Sequence, residues 1–151
     1  VDYFIHKLHG TLIFHTDGCA IYRYEDSYQI FCYHKKSLQM YQSLTDSKDF
    51  QKENYLFFVN SFPHMKYSFS FNFVCKKMKQ TTYLLSEEHG SVFSEWCRMG
   101  APLTLDSTMT DYLSCITRPE MNVFSPSFLE KPIISVDLPP LGVAYIELTP
   151  E

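Results

Sequence analysis

The sequence predicts a mostly β fold, an antiparallel β-sandwich of about eight strands with two short helices. The run Tyr67–Phe73 (YSFSFNF) alternates aromatic and polar residues without a break, which is the pattern of a strand with one buried face. The Asp17-Gly18 pair stands between two short apolar runs and is a strong β-hairpin signal. Further short apolar runs, separated by turn residues, follow along the chain. At 151 residues the chain fits one domain.

The amino-terminal part combines a helical pattern with three short strands. Its apolar residues recur at helical spacing ahead of a glycine that stops the helix: Val1, Phe4, Ile5, Leu8 and Gly10. We interpret residues 1–10 as the tail of a helix from a preceding unit and residues 11–151 as the sandwich. Strands are predicted over residues 11–15, 19–24 and 28–34.

The middle of the chain contains a polar segment, residues 35–54, which predicts an insertion with a short helix and a solvated loop. A strand is predicted after it, over residues 55–59. Tyr67–Phe73 follows as the most clearly patterned strand. Burying its four rings is worth about 1.5–3 kcal/mol for each, so we predict that they form core rather than an exposed sugar-binding surface.

The carboxyl-terminal part predicts two short helices between strands. Ser91 can cap the first helix, which carries Val92, Phe93, Trp96 and Cys97 on one side and ends at Gly100. Asp106 precedes the second, whose apolar positions are Met109, Tyr112, Leu113 and Ile116, and Pro119 closes it. Strands are predicted over residues 81–86, 121–124, 133–138 and 143–148.

Charge and cysteine content restrict the class of protein. The formal net charge is −4 and the lysines form only short clusters, which argues against a nucleic-acid partner. The sequence lacks the roughly 18 consecutive apolar residues of a membrane helix, so we expect no membrane partner. The 5 cysteines are odd in number and form no CxxC pair. Reduced thiols in a cytoplasmic protein are the interpretation we favour.

The densest titratable cluster is Glu87-Glu88-His89. Adjacent residues at a strand end point to opposite faces, so we do not expect these glutamates to form the paired carboxyls of a retaining glycosidase. No second ligand lies at metal-site spacing from His89, and His6 with His9 lacks a third ligand. We therefore predict no catalytic residue, no metal and no cofactor in this chain, and surface positions for His6 and His9.

Two cysteines fall in the apolar stripes of the predicted helices. Cys97 and Cys115 are potential nucleophiles, but a thiol in such a stripe behaves as a small hydrophobe and its pKa rises. We predict that both pack in the interior.

Three segments together resemble the C-terminal β-sandwich of glycoside hydrolase family thirty-nine, which contains β-xylosidases and α-L-iduronidase. They are Asp26–His34, Tyr83–Gly100 and Leu138–Leu148. The second is the most specific, because it combines a strand, an acidic-His-Gly loop and a Trp-bearing helix. The resemblance gives Glu87, Glu88 and His89 the position of a barrel-facing loop, and makes Gly90, Trp96 and Gly100 its structural anchors.

The resemblance implies a TIM barrel preceding this domain in the parent protein, which would make the parent a glycoside hydrolase and this chain a non-catalytic support. The barrel is then the expected partner. The aromatic content leaves a rival hypothesis, a carbohydrate-binding module for xylo-oligosaccharides. A third is a domain of an AraC-type sugar-responsive regulator.

Overall fold

The computed structural model describes residues 2–37, 39–40, 57, 61–73 and 77–151. Three helices within these ranges are used below: α1 (Asp2–Ile5), α2 (Val92–Arg98) and α3 (Ser107–Ile116). The strands are β1 (Thr11–Thr16), β2 (Cys19–Tyr24), β3 (Ser27–Tyr33), β4 (Met65–Ser70), β5 (Met78–Leu85), β6 (Glu120–Phe124), β7 (Ile133–Leu138) and β8 (Val143–Pro150). No helix in this described part of the chain has the length and apolarity needed to cross a membrane.

The strands form two antiparallel sheets of unequal size. The larger sheet has the order β1-β2-β3-β8-β5-β6, and the smaller consists of β4 and β7. The carboxyl-terminal strand β8 lies in the centre of the large sheet, between β3 and β5. The predicted mostly β, antiparallel fold is confirmed. Its central strand is the last in sequence, so the large sheet is complete only when the chain end pairs with strands far from it.

The main core lies between the two sheets. The large sheet contributes alternate residues such as Ile30, Cys32 and Ile146, and the small sheet contributes Phe69 and Ile134. Phe71 is also buried, while Tyr67 and Phe73 are partly buried against the same cluster. The aromatic stripe therefore faces the core, as its alternation predicts.

A second apolar cluster lies on the outer face of the large sheet. Phe4 of α1 is fully buried and stacks on Tyr145 of β8, with ring centroids 5.8 Å apart. The ammonium group of Lys7 lies 5.0 Å from the ring centroid of Tyr83. The first half of β8 is consequently buried on both faces, and α1 packs directly on the sandwich. The assignment of residues 1–10 to a preceding unit stays a prediction.

Several local predictions are confirmed. Thr16 pairs with Cys19 across Asp17-Gly18, which closes the β1–β2 hairpin. The Ser91 hydroxyl accepts from the Ser94 N–H at 3.2 Å, and an Asp106 carboxylate oxygen accepts from the Met109 N–H at 2.8 Å, so both predicted helix caps are present. His6 and His9 are exposed.

Other local predictions are wrong or concern residues outside the described ranges. Cys115 is exposed, so the prediction that it packs in the interior is wrong, whereas Cys97 is buried. α3 buries Leu113 only, because the helix lies at the surface and presents a narrow apolar edge to the domain. Apart from Phe57, which is helical and exposed, the strand predicted over 55–59 lies outside the described residues.

Candidate functional site

A cleft of about 390 Å³ opens where strands of both sheets end on the same side of the molecule. The loop after β5 forms one wall, and the start of β6 lies beside it because Leu84 pairs with Glu120. The other wall comes from the small sheet, where Met65 at the start of β4 pairs with Leu138 at the end of β7. The lining residues are Phe62, His64, Leu84, Ser86, Glu87, Glu88, His89, Glu120, Asp137, Pro139 and Pro140.

A tight turn shapes the loop after β5. The Ser86 N–H donates to the His89 carbonyl at 2.8 Å, and the His89 N–H donates to the Ser86 hydroxyl at 3.2 Å. These two bonds hold Glu87 and Glu88 at the tip, and both line the cleft. β5 ends at Leu85, so strand alternation does not determine the directions of the two glutamates, and the expectation that they form no catalytic pair stays a prediction.

Gly90 follows the turn with φ of +89°, a conformation that residues with a Cβ rarely adopt. A Cβ at this position would overlap the Leu85 Cδ2 and lie 3.3 Å from the Arg118 carbonyl oxygen. The glycine thus lets the loop pass close to the segment that leads into β6. This contact holds together the two neighbouring segments that carry His89 and Glu120 on the same wall of the cleft.

Two histidine–carboxylate pairs lie in the cleft. His89 Nε2 is 3.6 Å from a Glu120 carboxylate oxygen, and His64 Nδ1 is 3.1 Å from an Asp137 carboxylate oxygen. All four side chains are partly solvent-exposed. Together with Glu87 and Glu88 they make a wall rich in hydrogen-bond acceptors, which suits hydroxyl groups as ligands.

Among the residues that the structure describes, no group of three or more His, Cys, Asp or Glu side chains is placed to hold an ion. Two of the four carboxylates, those of Glu120 and Asp137, instead face histidines in separate pairs. The cleft can therefore hydrogen-bond a polar surface or molecule through the side chains it presents.

The remaining predicted anchors belong to the helical connection. The Trp96 indole N–H donates to the Pro102 carbonyl at 3.1 Å, and its ring lies 5.5 Å from that of Phe93. Gly100 has φ of +92° and follows the end of α2. These contacts tie α2 to the segment leading to α3, and neither residue lines the cleft.

Sequence reasoning missed three polar residues of the cleft, namely His64, Glu120 and Asp137. They lie on three different strands or strand ends, far apart in sequence from His89. The available signal was weak: each stands at or next to the boundary of a short apolar run, where a polar side chain is common. Only the pairing of the strands brings them together.

A second opening, of about 570 Å³, lies between β4 and the β1–β2 hairpin. Its apolar side includes Ile13, Phe14 and Tyr28, with Arg23 and Asn72 as polar neighbours. Phe14 is 51% exposed. The opening exists because the two-stranded sheet covers only part of the inner face of the six-stranded sheet.

No protein-family model matches this chain, and no curated protein matches it. Solved structures do. A monomeric β-xylosidase from Caulobacter crescentus CB15 matches 97% of this chain with 29% of its own, at 18% identity and a TM-score of 0.62. A GH39 enzyme from Xanthomonas axonopodis pv. citri matches 98% of this chain with 29% of its own, at 13% identity and a TM-score of 0.63.

A further structure, a GH39 β-xylosidase from Caulobacter crescentus, matches 97% of this chain with 26% of its own, at 17% identity and a TM-score of 0.56. The chain thus has the fold of one domain of GH39 enzymes. It spans less than a third of the length of these structures.

Proposed function

We propose that this chain is the C-terminal, non-catalytic β-sandwich of a β-xylosidase-like glycoside hydrolase, and that it packs against a catalytic TIM barrel. The observation that carries the proposal is the coverage: nearly all of this chain matches one domain, and that domain is 26–29% of the matched GH39 chains. The remaining length of such a protein is available for a catalytic domain. The sandwich then acts as a support.

The loop Glu87-Glu88-His89 is the part of this chain that we assign to the barrel. Glu88 and His89 are exposed at the end of the sandwich, and the turn fixes their position through the Ser86–His89 hydrogen bonds. A rigid loop of this kind can complete a neighbouring sugar site, because its carboxylates accept hydrogen bonds from hydroxyl groups. Trp96 and Gly100 support the helical segment that follows this loop.

Activity assays on aryl-β-xylosides test the proposal. The 151-residue chain is expected to show no turnover, and the full-length protein is expected to show it. Turnover by the chain alone, or its absence from a folded full-length protein over a panel of aryl glycosides, contradicts the proposal.

Variants of the full-length protein test the role of the loop. Glu88→Gln is expected to raise KM or lower kcat/KM about tenfold, since a hydrogen bond to a charged group is worth about 1.5–3 kcal/mol. Glu130→Gln is the matched control, because Glu130 is exposed and does not line the cleft. Equal kinetics for the two variants argue against a barrel-facing loop.

A carbohydrate-binding module is the second candidate, and the opening beside Phe14 and Tyr28 is the observation that favours it. Aromatic rings that border an open groove can stack on sugar faces. Titration calorimetry of the chain with xylo-oligosaccharides separates the two hypotheses. Micromolar binding that Phe14→Ala abolishes and Leu129→Ala retains supports the module, since Leu129 is fully exposed and lies outside the opening.

A cytoplasmic location is also proposed. The support is the cysteine content: the 5 cysteines are odd in number and form no CxxC pair, which is more typical of a reducing compartment than of a disulfide framework. Fractionation of cells that express the full-length protein tests this location, and recovery from the culture medium contradicts it.

A further inference from the structure

Two cysteines of the core lie directly opposite each other on neighbouring strands. Cys19 of β2 is the register partner of Cys32 of β3. The Tyr33 N–H donates to the Gly18 carbonyl at 2.9 Å, which makes Gly18 and Tyr33 the hydrogen-bonded position next to the cysteines. Cys19 and Cys32 therefore occupy a non-hydrogen-bonded position of the antiparallel ladder. Side chains at such a position are on the same face and approach closely.

A non-hydrogen-bonded pair of this kind has the usual spacing that a disulfide requires. Opposite Cα atoms in a non-hydrogen-bonded pair are about 4.5 Å apart, and disulfides span Cα separations of about 4.4–6.8 Å. Both side chains belong to the buried core cluster, at 3% and 0% exposure. The outer neighbours in the sheet are Thr16 and Ala144, which do not ionise in the accessible pH range.

We propose that Cys19 and Cys32 are a thiol pair that a small-molecule disulfide, such as glutathione disulfide, converts into a cross-strand disulfide joining β2 to β3. One protein thiolate attacks the oxidant, forms a mixed disulfide and releases one glutathione thiolate. The second protein thiolate then attacks the mixed disulfide and releases the other glutathione. The two protein thiols are oxidised, two molecules of glutathione are formed, and the two protons leave with them or enter the solvent.

The surroundings of the pair determine how fast this reaction runs. Burial raises the pKa of the Cys19 thiol to about 11 and raises the pKa of Cys32 further. Tyr67 of β4 faces both thiols, and its own pKa is raised, first by burial and then by the two cysteines. Its hydroxyl donates to the Tyr33 carbonyl at 3.1 Å. Thiolate is therefore scarce at neutral pH, and Cys19 is the better attacking group.

A disulfide map of the folded protein tests the proposal without any variant. The protein is incubated with glutathione disulfide in native buffer, alkylated and digested with trypsin without reduction. Cleavage after Lys7, Arg23 and Lys35 places the two cysteines in separate peptides, residues 8–23 and 24–35. The expected result is a linked pair of these peptides that dithiothreitol separates. Absence of this pair after Cys115 has reacted, or a Cys19 link to another cysteine, overturns the proposal.

Three further measurements test whether the positions of Cys19 and Cys32 in the folded protein determine disulfide formation. Cys32→Ala is expected to abolish the linked pair, and Cys115→Ala, which alters an exposed thiol, is expected to retain it. The rate of Cys19–Cys32 disulfide formation is expected to rise about tenfold for each pH unit between pH 7 and 9, because the fraction of thiolate rises by the same factor. Protein unfolded in urea is expected to give mixed pairings. Selective Cys19–Cys32 linkage in urea as well overturns the role of the fold.

Discussion

Gly90 holds the cleft loop through two separate properties, its backbone conformation and its lack of a side chain. The positive φ angle lets the chain turn after His89. The empty Cβ position lets the loop lie against Leu85 and Arg118. Gly100 shares the first property but not the second, because nothing lies within 4 Å of its Cβ position. A comparison of alanine substitutions at Gly90 and Gly100 therefore separates the cost of backbone strain from the cost of steric overlap.

We expect Gly90→Ala to lower the free energy of unfolding by about 2–3 kcal/mol, because the new methyl group adds overlap to an unfavourable φ. Gly100→Ala is expected to cost about 1 kcal/mol, from the backbone conformation alone. Urea unfolding of both variants measures the difference. Equal losses would show that the loop moves aside without cost.

The two helical cysteines differ in burial although the sequence predicts the same environment for both. Cys97 and Cys115 each stand in a predicted apolar stripe, yet Cys97 is buried and Cys115 is exposed. Sequence periodicity identifies the side of a helix that carries apolar residues. Periodicity does not predict how much of this apolar face is buried by neighbouring elements.

At the scale of elements, α1 is a short helix whose stability depends on the sheet beneath it. A helix of 4 residues is too short to be stable alone. The burial of Phe4 against Tyr145 and Tyr83 supplies the contacts that hold it. The neighbouring Tyr3 is 54% exposed and provides a matched aromatic control.

Phe4→Ala is expected to lower the free energy of unfolding by about 3–5 kcal/mol, the usual cost of removing a buried phenylalanine ring. Tyr3→Ala is expected to cost less than about 1 kcal/mol, because its ring is half exposed. Thermal or urea denaturation provides both values. A small effect of Phe4→Ala would mean that α1 detaches without loss to the sandwich.

The contact between α2 and α3 includes an ionisable group. The Tyr112 hydroxyl donates to one Glu95 carboxylate oxygen at 2.9 Å, and an Arg98 guanidinium N–H donates to the other at 3.1 Å. These bonds, the tyrosine first, hold the pKa of Glu95 below its usual value of 4.5. A carboxyl group with a lower pKa in the folded state stabilises the fold at pH values above its unfolded-state pKa. This contribution is lost as the pH falls through the folded-state pKa.

We expect the urea midpoint of the unmodified chain to fall more steeply between pH 5 and pH 3 than that of Glu95→Gln. The reason is that the variant has no carboxylate to protonate at this position. Tyr112→Phe removes the main cause of the lowered pKa and is expected to reduce the pH dependence as well. Identical pH profiles for all three proteins would contradict a stabilising role for this contact.

At the scale of the whole molecule, one core joins the two sheets. Ile134 comes from the small sheet and Ile146 from the large sheet, and both belong to the same buried cluster. Trp96 lies outside that cluster, on α2. Its fluorescence therefore follows the helical segment, while far-ultraviolet circular dichroism follows the sheets.

Ile134→Ala and Ile146→Ala are each expected to lower the free energy of unfolding by about 2–5 kcal/mol. The fluorescence and dichroism transitions are expected to coincide in both variants, because small domains usually unfold in one cooperative transition. Transitions at separate urea concentrations would show that the helical segment unfolds independently of the sandwich.

Short-range patterns in the sequence are enough to specify the local features of this protein. The Asp17-Gly18 hairpin, the Ser91 and Asp106 caps and the inward face of Phe69 and Phe71 follow from turn chemistry and periodicity, which act over a few residues. These features were sufficient to predict a mostly antiparallel β fold.

The folded structure is needed to establish which elements meet. It divides the strands into sheets of six and two, brings His64, Glu120 and Asp137 beside the Glu87-Glu88-His89 loop, and sets Cys19 opposite Cys32. The physical reason is that periodicity specifies which face of a strand is apolar. The partner and register of that strand depend on contacts between residues far apart in the chain.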